Sequence, residues 1–263
     1  MTIGQNTPPT GPIVAEILLR IAVPCACLHA SPSATAETTS CAVYGEAVRP
    51  LQERIGFVLV ETVRDHYQGW IARNELTGQT DASTHVTCVR SAPMFLRPDI
   101  KAPIVRLVPL SSEVRVREIT DKWAVLHDGT AMVRDHLQPL GWHLDDPVAV
   151  AETFFKGTPY VWGGKTPAAA DCSGMVQTCF YLTGVQLPRD SGPQQSFLAK
   201  TEDTPKRGMV AGFKGHIGLM VDGTNMIHAN ATAMGVTVDP VDQIIEQIKG
   251  IEGPDSFNGF FVA

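Results

Sequence analysis

The pattern of apolar residues changes near residue 143, and this change divides the chain into two parts. From about residue 20 to about residue 140, short apolar runs alternate with turn residues, which is typical of small all-β barrels. Beyond residue 143, helical spacing comes first and strands follow, which indicates an α+β domain. The predicted strands of the first part are Gly56–Val63, Gly69–Ala72, Val86–Val89, Ile104–Val108, Val114–Ile119 and Trp123–Leu126.

A faint internal repeat divides the β part again. Gly69–Leu76 and Thr130–Leu137 are similar, and each follows a strand and a turn, so the repeat predicts two SH3-like barrels. The polar segment Thr77–Thr84 is the natural linker between them. The sequence therefore predicts four parts, which are an N-terminal segment (1–20), a first SH3-like domain (21–80), a second one (81–142) and an α+β domain (143–263).

The α+β domain shows two helix starts. Asp145 and Asp146 come before Pro147, a combination typical of a helix start, and predict a helix over Val148–Phe155. A second helix is predicted at Ser173–Leu182, where apolar residues recur at helical spacing. The strands predicted after it are His216–Val221, Asn225–His228, Gly235–Val238 and Phe260–Val262.

The composition describes an ordinary globular protein and limits its partners. The 263 residues are 44% hydrophobic and 18% charged, and the net charge of −6 argues against a nucleic-acid or anionic-membrane partner. There is no apolar run of about eighteen residues, so no transmembrane helix is expected. The apolar stretch Ile13–Ile21 contains Glu16 and Arg20 and no basic region precedes it, so it does not resemble a secretory signal. We therefore expect a cytoplasmic protein.

Six cysteines occur at no regular spacing. Cys25 and Cys27 are a weak hint of metal binding or redox chemistry, because a zinc site usually shows a second matched pair. The simpler interpretation is that the cysteines are small buried hydrophobic residues in a reducing compartment. The histidines do not form a metal-binding pattern, and neither a metal nor another cofactor is expected. The sequence leaves the roles of Cys25, Cys27 and Cys41 open.

One cysteine stands in a chemically favourable place. Tyr160-Val161-Trp162-Gly163-Gly164 precedes Asp171-Cys172, and Asp171 is a good N-cap for the helix that follows. This places Cys172 in the first helical turn, where the positive end of the helix and a nearby imidazolium would favour the nucleophilic thiolate.

Two histidines are candidates for the base. His216 opens an apolar strand and His228 lies on the next one, after a turn. Antiparallel pairing would bring the two side by side, so that His216 takes the thiol proton while His228 fixes its orientation and tautomer.

Taken together, these motifs resemble those of the NlpC/P60 cysteine peptidases. The Tyr-x-Trp-Gly-Gly, Asp-Cys-Ser-Gly, Gly-His-Ile-Gly and Ile-His-Ala motifs occur in the family's order over roughly residues 145–263. The resemblance implies a papain-like core with Cys172 as nucleophile, His216 as base and His228 as the orienting residue. It also places Tyr160 opposite the thiol, where it could stabilise the oxyanion.

With the β part included, the chain resembles the murein-peptide γ-D-glutamyl-L-diamino acid endopeptidases, which carry two bacterial SH3 (SH3b) domains before the catalytic core. In these relatives the first SH3b domain closes one end of the cleft, and an acidic residue and a tyrosine from it hold the free amine of the peptide. The residues that the resemblance makes candidates for substrate binding are Glu46, Tyr67, Trp162, Asp171, Ser173, Asp190 and Ser191.

The sequence thus predicts a cysteine peptidase that hydrolyses the bond between γ-D-glutamate and diaminopimelate or lysine in peptides such as L-Ala-γ-D-Glu-diaminopimelate. Three alternatives stay open. An amidase or acyltransferase of the same fold would differ in its acceptor or substrate. An inactive protein that binds wall fragments would keep its function without Cys172. A redox protein using Cys25 and Cys27 would form a reducible disulfide.

Overall fold

The computed structural model describes residues 18–78 and 81–263. Most of the predicted N-terminal segment lies outside the described residues, as do residues 79 and 80 of the predicted linker. Strand β1 (Leu19–Ile21) pairs with two strands of the first β unit, which therefore begins before the predicted boundary at residue 21.

The first β unit is one antiparallel sheet of seven strands, in the order β3-β2-β6-β5-β4-β1-β7. The alternating apolar residues of these strands form its core, which includes Leu28, Val60 and Ile71. After β1, its strands are β2 (Cys25–His29), β3 (Thr38–Val43), β4 (Ala47–Arg54), β5 (Phe57–Thr62), β6 (Gln68–Ala72) and β7 (Leu76–Thr77).

The second β unit has two sheets, one of five strands (β10-β9-β14-β13-β12) and one of three (β11-β8-β15). Its core contains Met94, Val108 and Met132. The strands are β8 (His85–Thr87), β9 (Ser91–Phe95), β10 (Ile104–Pro109), β11 (Glu113–Val114), β12 (Val116–Ile119), β13 (Trp123–Leu126), β14 (Ala131–Val133) and β15 (Leu137–Pro139).

The sequence repeat has the same local structure in both units. Arg73–Glu75 and Arg134–His136 each form one 3₁₀ turn that connects two strands. The residues that flank the turns have similar extended backbone angles, and in both units a leucine follows the turn and is buried. The repeat is therefore visible in structure, which favours the prediction that the two units are related.

The C-terminal unit places helices against an antiparallel six-stranded sheet in the order β18-β23-β19-β20-β21-β22. Helix α1 continues into a π-helical turn, and β16 and β17 form a separate two-stranded ribbon. The helices are α1 (Pro147–Val150, then Ala151–Phe155), α2 (Cys172–Tyr181), α3 (Ser191–Phe197) and α4 (Val241–Glu252). The strands are β16 (Lys165–Thr166), β17 (Ala169–Ala170), β18 (Ala199–Thr201), β19 (Val210–Phe213), β20 (His216–Met220), β21 (Asn225–Asn230), β22 (Gly235–Pro240) and β23 (Phe257–Val262).

Both predicted helices are confirmed, but two further helices were missed. The Asp146 side chain caps α1 and Pro147 is its first residue, as the sequence predicts. Helix α3 contains Gly192 and Pro193 in its first turn, which makes its sequence weakly helical. Helix α4 was recognisable, because its apolar residues follow the i, i+3, i+4, i+7 pattern from Val241 onwards.

Two of the three cysteines of the first β unit differ from the prediction that they are buried. Cys25 and Cys27 are exposed, because Ala26 and Leu28 of the same strand point into the core and neighbouring side chains alternate between faces. Cys41, Cys172 and Cys179 are buried, and all six cysteines are free thiols.

The two β units meet at a turn that only glycine fits. Gly45 has φ +77°, and a Cβ atom there would lie 1.8 Å from the Glu113 carbonyl oxygen of the second unit. Gly56 has nearly the same backbone angle, φ +76°, but a Cβ atom there would meet nothing within 4 Å. Substitutions at the two positions therefore distinguish the cost of backbone strain, which both share, from the cost of close packing between the units, which only Gly45 has.

We expect Gly45→Ala to lower the stability much more than Gly56→Ala. The Gly56 variant should lose about 1 kcal/mol, because only the left-handed backbone angle penalises alanine there. The Gly45 variant must in addition push the two β units apart. Urea unfolding of both variants would measure the difference, and equal losses would show that the Gly45–Glu113 approach does not matter for stability.

Candidate active site

Cys172 begins helix α2, and its side chain lines a cavity of about 500 Å³. The Asp171 carboxylate caps the helix, because its Oδ1 accepts a hydrogen bond from the Gly174 N–H at 2.7 Å. The predicted cap and the first-turn position of Cys172 are both confirmed. Only 7% of Cys172 is exposed, so the sulfur is largely withdrawn from solvent.

The two predicted histidines lie side by side on β20 and β21. His216 Nε2 and His228 Nδ1 are 2.7 Å apart, a hydrogen-bond distance. Both rings line the same cavity as Cys172. The antiparallel pairing of the two strands brings them together, as the sequence predicts.

Gly218 makes room for this arrangement. A Cβ atom at Gly218 would lie 2.9 Å from the Cβ of His228 and 3.1 Å from the Ile227 carbonyl oxygen. A side chain at this position would therefore displace the His228 ring. The Gly-His-Ile-Gly motif thus supplies the base, His216, and its second glycine, Gly218, leaves room for the His228 side chain.

Asp239 is a third member of this chain of hydrogen bonds, and sequence reasoning missed it. His228 Nε2 lies 3.2 Å from Asp239 Oδ2, and the Thr237 hydroxyl donates to the same oxygen at 2.5 Å. Thr237 pairs with His228 across β21 and β22, and Asp239 follows two residues later on the same face. The sequence shows only that Thr237 and Asp239 are two residues apart on a predicted strand end, and the contact with His228 also requires the register of β21 with β22.

The Asp239 contact favours one tautomer of each ring. A carboxylate only accepts hydrogen bonds, so His228 Nε2 carries a proton when it donates to Asp239, and the Asn230 amide nitrogen, 3.3 Å from the same ring nitrogen, then donates to the Thr237 hydroxyl at 2.8 Å. His228 Nδ1 is then free to accept the proton of His216 Nε2. His216 Nδ1 is left without a proton, which is the form that a base toward the Cys172 thiol requires.

Burial holds both reacting groups in their neutral forms. It raises the pKa of the Cys172 thiol to about 12, and the Asp171 carboxylate acts in the same direction. Burial also lowers the pKa of His216 to about 3, and the neighbouring His228 adds to this effect. The sequence led us to expect a lowered thiol pKa, but loss of solvation outweighs the helix end here. Two neutral groups of this kind would transfer the proton from sulfur to imidazole during the attack.

Tyr160 and Trp162 lie in the loop before β16. Tyr160 is half-buried and lines the cavity with Cys172, and burial raises the pKa of its phenol to about 12. It is therefore a neutral hydroxyl donor near the sulfur. Trp162 is 59% exposed, and its Nε1 donates to Glu37 Oε1 of the first β unit at 3.2 Å. The loop thus joins the active-site cavity to the β2–β3 hairpin.

Arg189 organises the residues around Asp171, and sequence reasoning gave it no role. Its guanidinium is 2% exposed and donates to both Asp171 oxygens, from Nη1 at 3.0 Å and from Nη2 at 2.7 Å. It also donates to the Ser173 hydroxyl and, from Nε at 2.9 Å, to the Ser40 hydroxyl of the first β unit. Asp171 and Ser173 are therefore part of a buried network beside the nucleophile.

The other predicted substrate residues lie where the first β unit meets the start of α3. Asp190 is the N-cap residue of α3 and is exposed, and Ser191 is its first helical residue. Tyr67 is half-buried, and the Asp190 carboxylate is one of the charges that raise the pKa of its phenol, after burial itself. Tyr67, Asp190 and Ser191 are thus neighbours, and none of the three is among the residues that line the cavity.

Glu46 does not fit the role expected for it. Its side chain is 1% exposed and lies 3.3 Å from Lys165 Nζ and 3.8 Å from Arg64 Nη1. Its Oε2 also accepts from the Val43 N–H at 3.1 Å. A carboxylate that is buried and already paired with two cations has no place for a substrate ammonium, so Glu46 joins the domains instead.

The described residues suggest neither a metal centre nor a membrane span. Across residues 18–78 and 81–263, no group of three or more His, Cys, Asp or Glu side chains is placed to hold a metal ion. In the same part of the chain, no helix is long and apolar enough to cross a membrane.

Comparison with protein families agrees with this geometry. Residues 157–249 match the NlpC/P60 family, and residues 28–76 match the bacterial dipeptidyl-peptidase Sh3 domain. The chain carries an NlpC/P60 domain. The matched region contains Cys172, His216, His228 and Asp239, and the SH3 domain coincides with most of the first β unit.

Relatives of the NlpC/P60 domain extend the comparison over most of the chain. Dipeptidyl-peptidase 6 of Lysinibacillus sphaericus is 28% identical over 82% of this chain and 89% of its own length. A γ-D-glutamyl-L-lysine dipeptidyl-peptidase of Bacillus cereus is 26% identical over 70% of this chain and 63% of its own length. The chain is a cysteine peptidase.

Solved structures show the same fold. An NlpC/P60 family protein from Bacillus cereus superimposes with a TM-score of 0.78 at 17% identity, covering 94% of this chain and 99% of its own. An NlpC/P60 endopeptidase from Photobacterium damselae gives a TM-score of 0.61 at 16% identity, over 96% of this chain and 74% of its own. The arrangement of SH3-like and NlpC/P60 parts therefore also occurs in other proteins.

We expect alkylation of Cys172 to become about tenfold faster with each pH unit between pH 7 and pH 9.5. Iodoacetamide reacts with the thiolate, whose fraction rises tenfold per unit while the pH stays below the thiol pKa. Peptide mass spectrometry would follow the Cys172 peptide separately from the exposed cysteines, with circular dichroism as a check on folding. A constant rate from pH 5 to pH 8 would instead indicate a preformed thiolate–imidazolium pair.

We expect Asp239→Asn to lower kcat about 10–100-fold with little change in KM. An amide can donate to His228 Nε2, and this would favour the tautomer that leaves His216 Nδ1 protonated. Steady-state kinetics on a cell-wall tripeptide would measure the effect. Asp242→Asn makes the same chemical change on an exposed face of α4 and should be neutral. Equal kinetics for both variants would remove Asp239 from the mechanism.

Proposed function

We propose that this protein hydrolyses the bond between γ-D-glutamate and a diamino acid in cell-wall peptides. The chain of contacts from His216 through His228 to Asp239, in one cavity with Cys172, is the observation that carries the proposal. The names of the Bacillus relatives, γ-D-glutamyl-L-lysine dipeptidyl-peptidases, support this bond. The substrate is then a peptide such as L-Ala-γ-D-Glu-diaminopimelate.

The reaction proceeds in two steps through a thioester. Cys172 Sγ attacks the γ-carbonyl carbon of D-glutamate while its proton passes to His216 Nδ1. The same proton then moves to the nitrogen of the diamino acid, which leaves as a free amine. In the second step His216 takes a proton from water, and the hydroxide adds to the thioester carbonyl. The carbon–sulfur bond then breaks, the acyl group leaves as a carboxylic acid, and His216 returns the proton to the Cys172 sulfur.

The oxyanion of the tetrahedral intermediate needs hydrogen-bond donors. The Cys172 backbone N–H belongs to the first turn of α2, where N–H groups have no partner within the helix. The Tyr160 hydroxyl is the second donor, because it is neutral and shares the cavity wall with Cys172. Two such donors stabilise the negative charge as it develops.

The acyl part of the peptide, L-Ala-γ-D-Glu, lies on the side of Cys172 that faces the first β unit. There Tyr67, Asp190 and Ser191 supply a phenol, a carboxylate and a hydroxyl. Asp190 replaces Glu46 as the partner for the free amine, because Asp190 is exposed whereas Glu46 is buried and paired. An N-acylated peptide would lack the charge that Asp190 attracts.

The biological setting follows from the proposed cleft. The β2–β3 hairpin contacts Trp162 and Gly163 and limits the cleft on the acyl side, which suits short free peptides better than intact wall. We therefore propose a role in turnover or recycling of wall peptides. The six free thiols support the separate proposal of a reducing compartment, the cytoplasm. The repeated 3₁₀ turns support the further proposal that both β units are SH3-like. The nucleophile at the start of α2, followed in the chain by the antiparallel sheet that carries both histidines, supports the proposal of a papain-like core.

Digestion of L-Ala-γ-D-Glu-diaminopimelate, free and N-acetylated, tests the proposal. We expect cleavage of the free form, observed by mass spectrometry, and loss of cleavage in Cys172→Ala. Asp190→Asn should bring the rates of the two forms closer by about tenfold, since it removes a charge that only the free amine meets. Equal cleavage by wild type would refute the amine site but keep the peptidase. Absence of cleavage by folded wild type would favour another amide substrate or a binding protein.

A further inference from the structure

The cavity at Cys172 has a second side, which the acyl part of the substrate does not fill. Its wall beyond His216 is formed by α4 and by the residues before β20, whereas Tyr67, Asp190 and Ser191 lie elsewhere. If the acyl group lies toward the first β unit, as proposed above, the cavity receives the leaving diamino acid. The inference below rests on that assignment.

The wall of the cavity changes character along its length. Near Cys172 it carries the catalytic hydrogen-bonding groups. Ile244, Ile248 and Ile251, spaced at i, i+4 and i+7 on α4, form an apolar stretch, and Gln243 and Gln247 of the same helix also line the cavity. Ile251 is 71% exposed, which is unusual for a large apolar side chain beside a catalytic cavity.

One cation and one anion end this apolar stretch. Lys214 Nζ and Glu252 Oε2 are 3.1 Å apart, and both side chains line the cavity. Apart from the catalytic histidines and Asp239, they are its charged lining residues. Lys214 lies in the turn that leads into β20, two residues before His216, and both members of the pair line the same cavity as Cys172 and His216.

We propose that Lys214 and Glu252 bind the far end of a leaving diamino acid that carries both an ammonium and a carboxylate, as diaminopimelate does. Glu252 accepts from the ammonium, Lys214 donates to the carboxylate, and the isoleucines contact the alkyl chain between the two amino-acid centres. The two side chains already pair with each other, so a zwitterion can take both contacts without leaving either charge alone.

The same pair discriminates against lysine as the leaving group. The far end of lysine carries only an ammonium, so it gains the contact with Glu252 and meets the like charge of Lys214. The site therefore selects a zwitterionic end, and Lys214 determines the preference. Glu252 contributes to both substrates, because both carry the ammonium.

Competition between three tripeptides tests the inference. L-Ala-γ-D-Glu would be joined to meso-diaminopimelate, to diaminopimelate amidated at its far carboxylate, or to L-lysine, and mass spectrometry would give the ratios of kcat/KM. We expect wild type to prefer diaminopimelate over both others by about tenfold, the effect of one charge-assisted contact. Lys214→Gln should bring this preference close to one and speed cleavage of the lysine peptide. Glu252→Gln should slow all three.

A second Lys–Glu ion pair, on the helix that carries Glu252, provides the control. Lys249 Nζ and Glu246 Oε1 are 2.9 Å apart on α4, but neither residue lines the cavity, so Lys249→Gln should keep the wild-type ratios. If Lys214→Gln cleaves the peptides with the wild-type ratios, the inference is overturned while the proposed function stands. If folded wild type cleaves none of the three, the proposed function falls and the inference with it.

Discussion

The ion pair of Asp171 with Arg189 is the interaction on which the active site depends. Asp171 caps α2 by accepting a hydrogen bond from the Gly174 N–H, and it also accepts one from the Gly163 N–H, next to Trp162. Arg189 donates to both oxygens of the same carboxylate. One carboxylate thus fixes the nucleophile helix and the aromatic loop together. Both partners are buried, and removing either would leave an unpaired charge, which destabilises a protein by about 3–5 kcal/mol.

The pair also reaches beyond the catalytic unit. Arg189 Nε donates to Ser40 on β3 of the first β unit, so the same guanidinium connects the nucleophile to the hairpin that limits the cleft. Arg189 is buried where it joins Ser40 to the start of α2, and the same burial excludes water from Cys172 and His216. The neutral state of the reacting pair and the rigid placement of the nucleophile therefore have one physical origin, the loss of solvent around the start of α2.

Local features of the sequence predicted much of this structure. The cap of α2, the position of Cys172 and the adjacency of His216 and His228 depend on neighbouring residues and one hairpin, so periodicity and turn signals were sufficient. Asp239 needed the register of β21 with β22, which the sequence pattern did not fix. Helix α4 carried a clear apolar pattern, but no element was predicted between the strands Gly235–Val238 and Phe260–Val262.

The contacts between domains could not be predicted in this way. Arg189 and Ser40 are 149 residues apart, and Glu46 and Lys165 are 119 residues apart, so no local pattern relates them. A resemblance to relatives assigned Glu46 to the substrate, since sequence shows a carboxylate but not the cations that surround it. Its environment depends on how the first β unit and the catalytic unit pack together.

Lys165 shows what this packing means for the protein as a whole. It belongs to the catalytic unit and is 4% exposed, yet its counter-charge, Glu46, comes from the first β unit. Separated from that unit, the catalytic part would lose the partner of a buried cation and the cover over its surface. The SH3-like domain is therefore not an interchangeable attachment, and a chimera that grafts another one onto this peptidase would need a carboxylate at the position of Glu46.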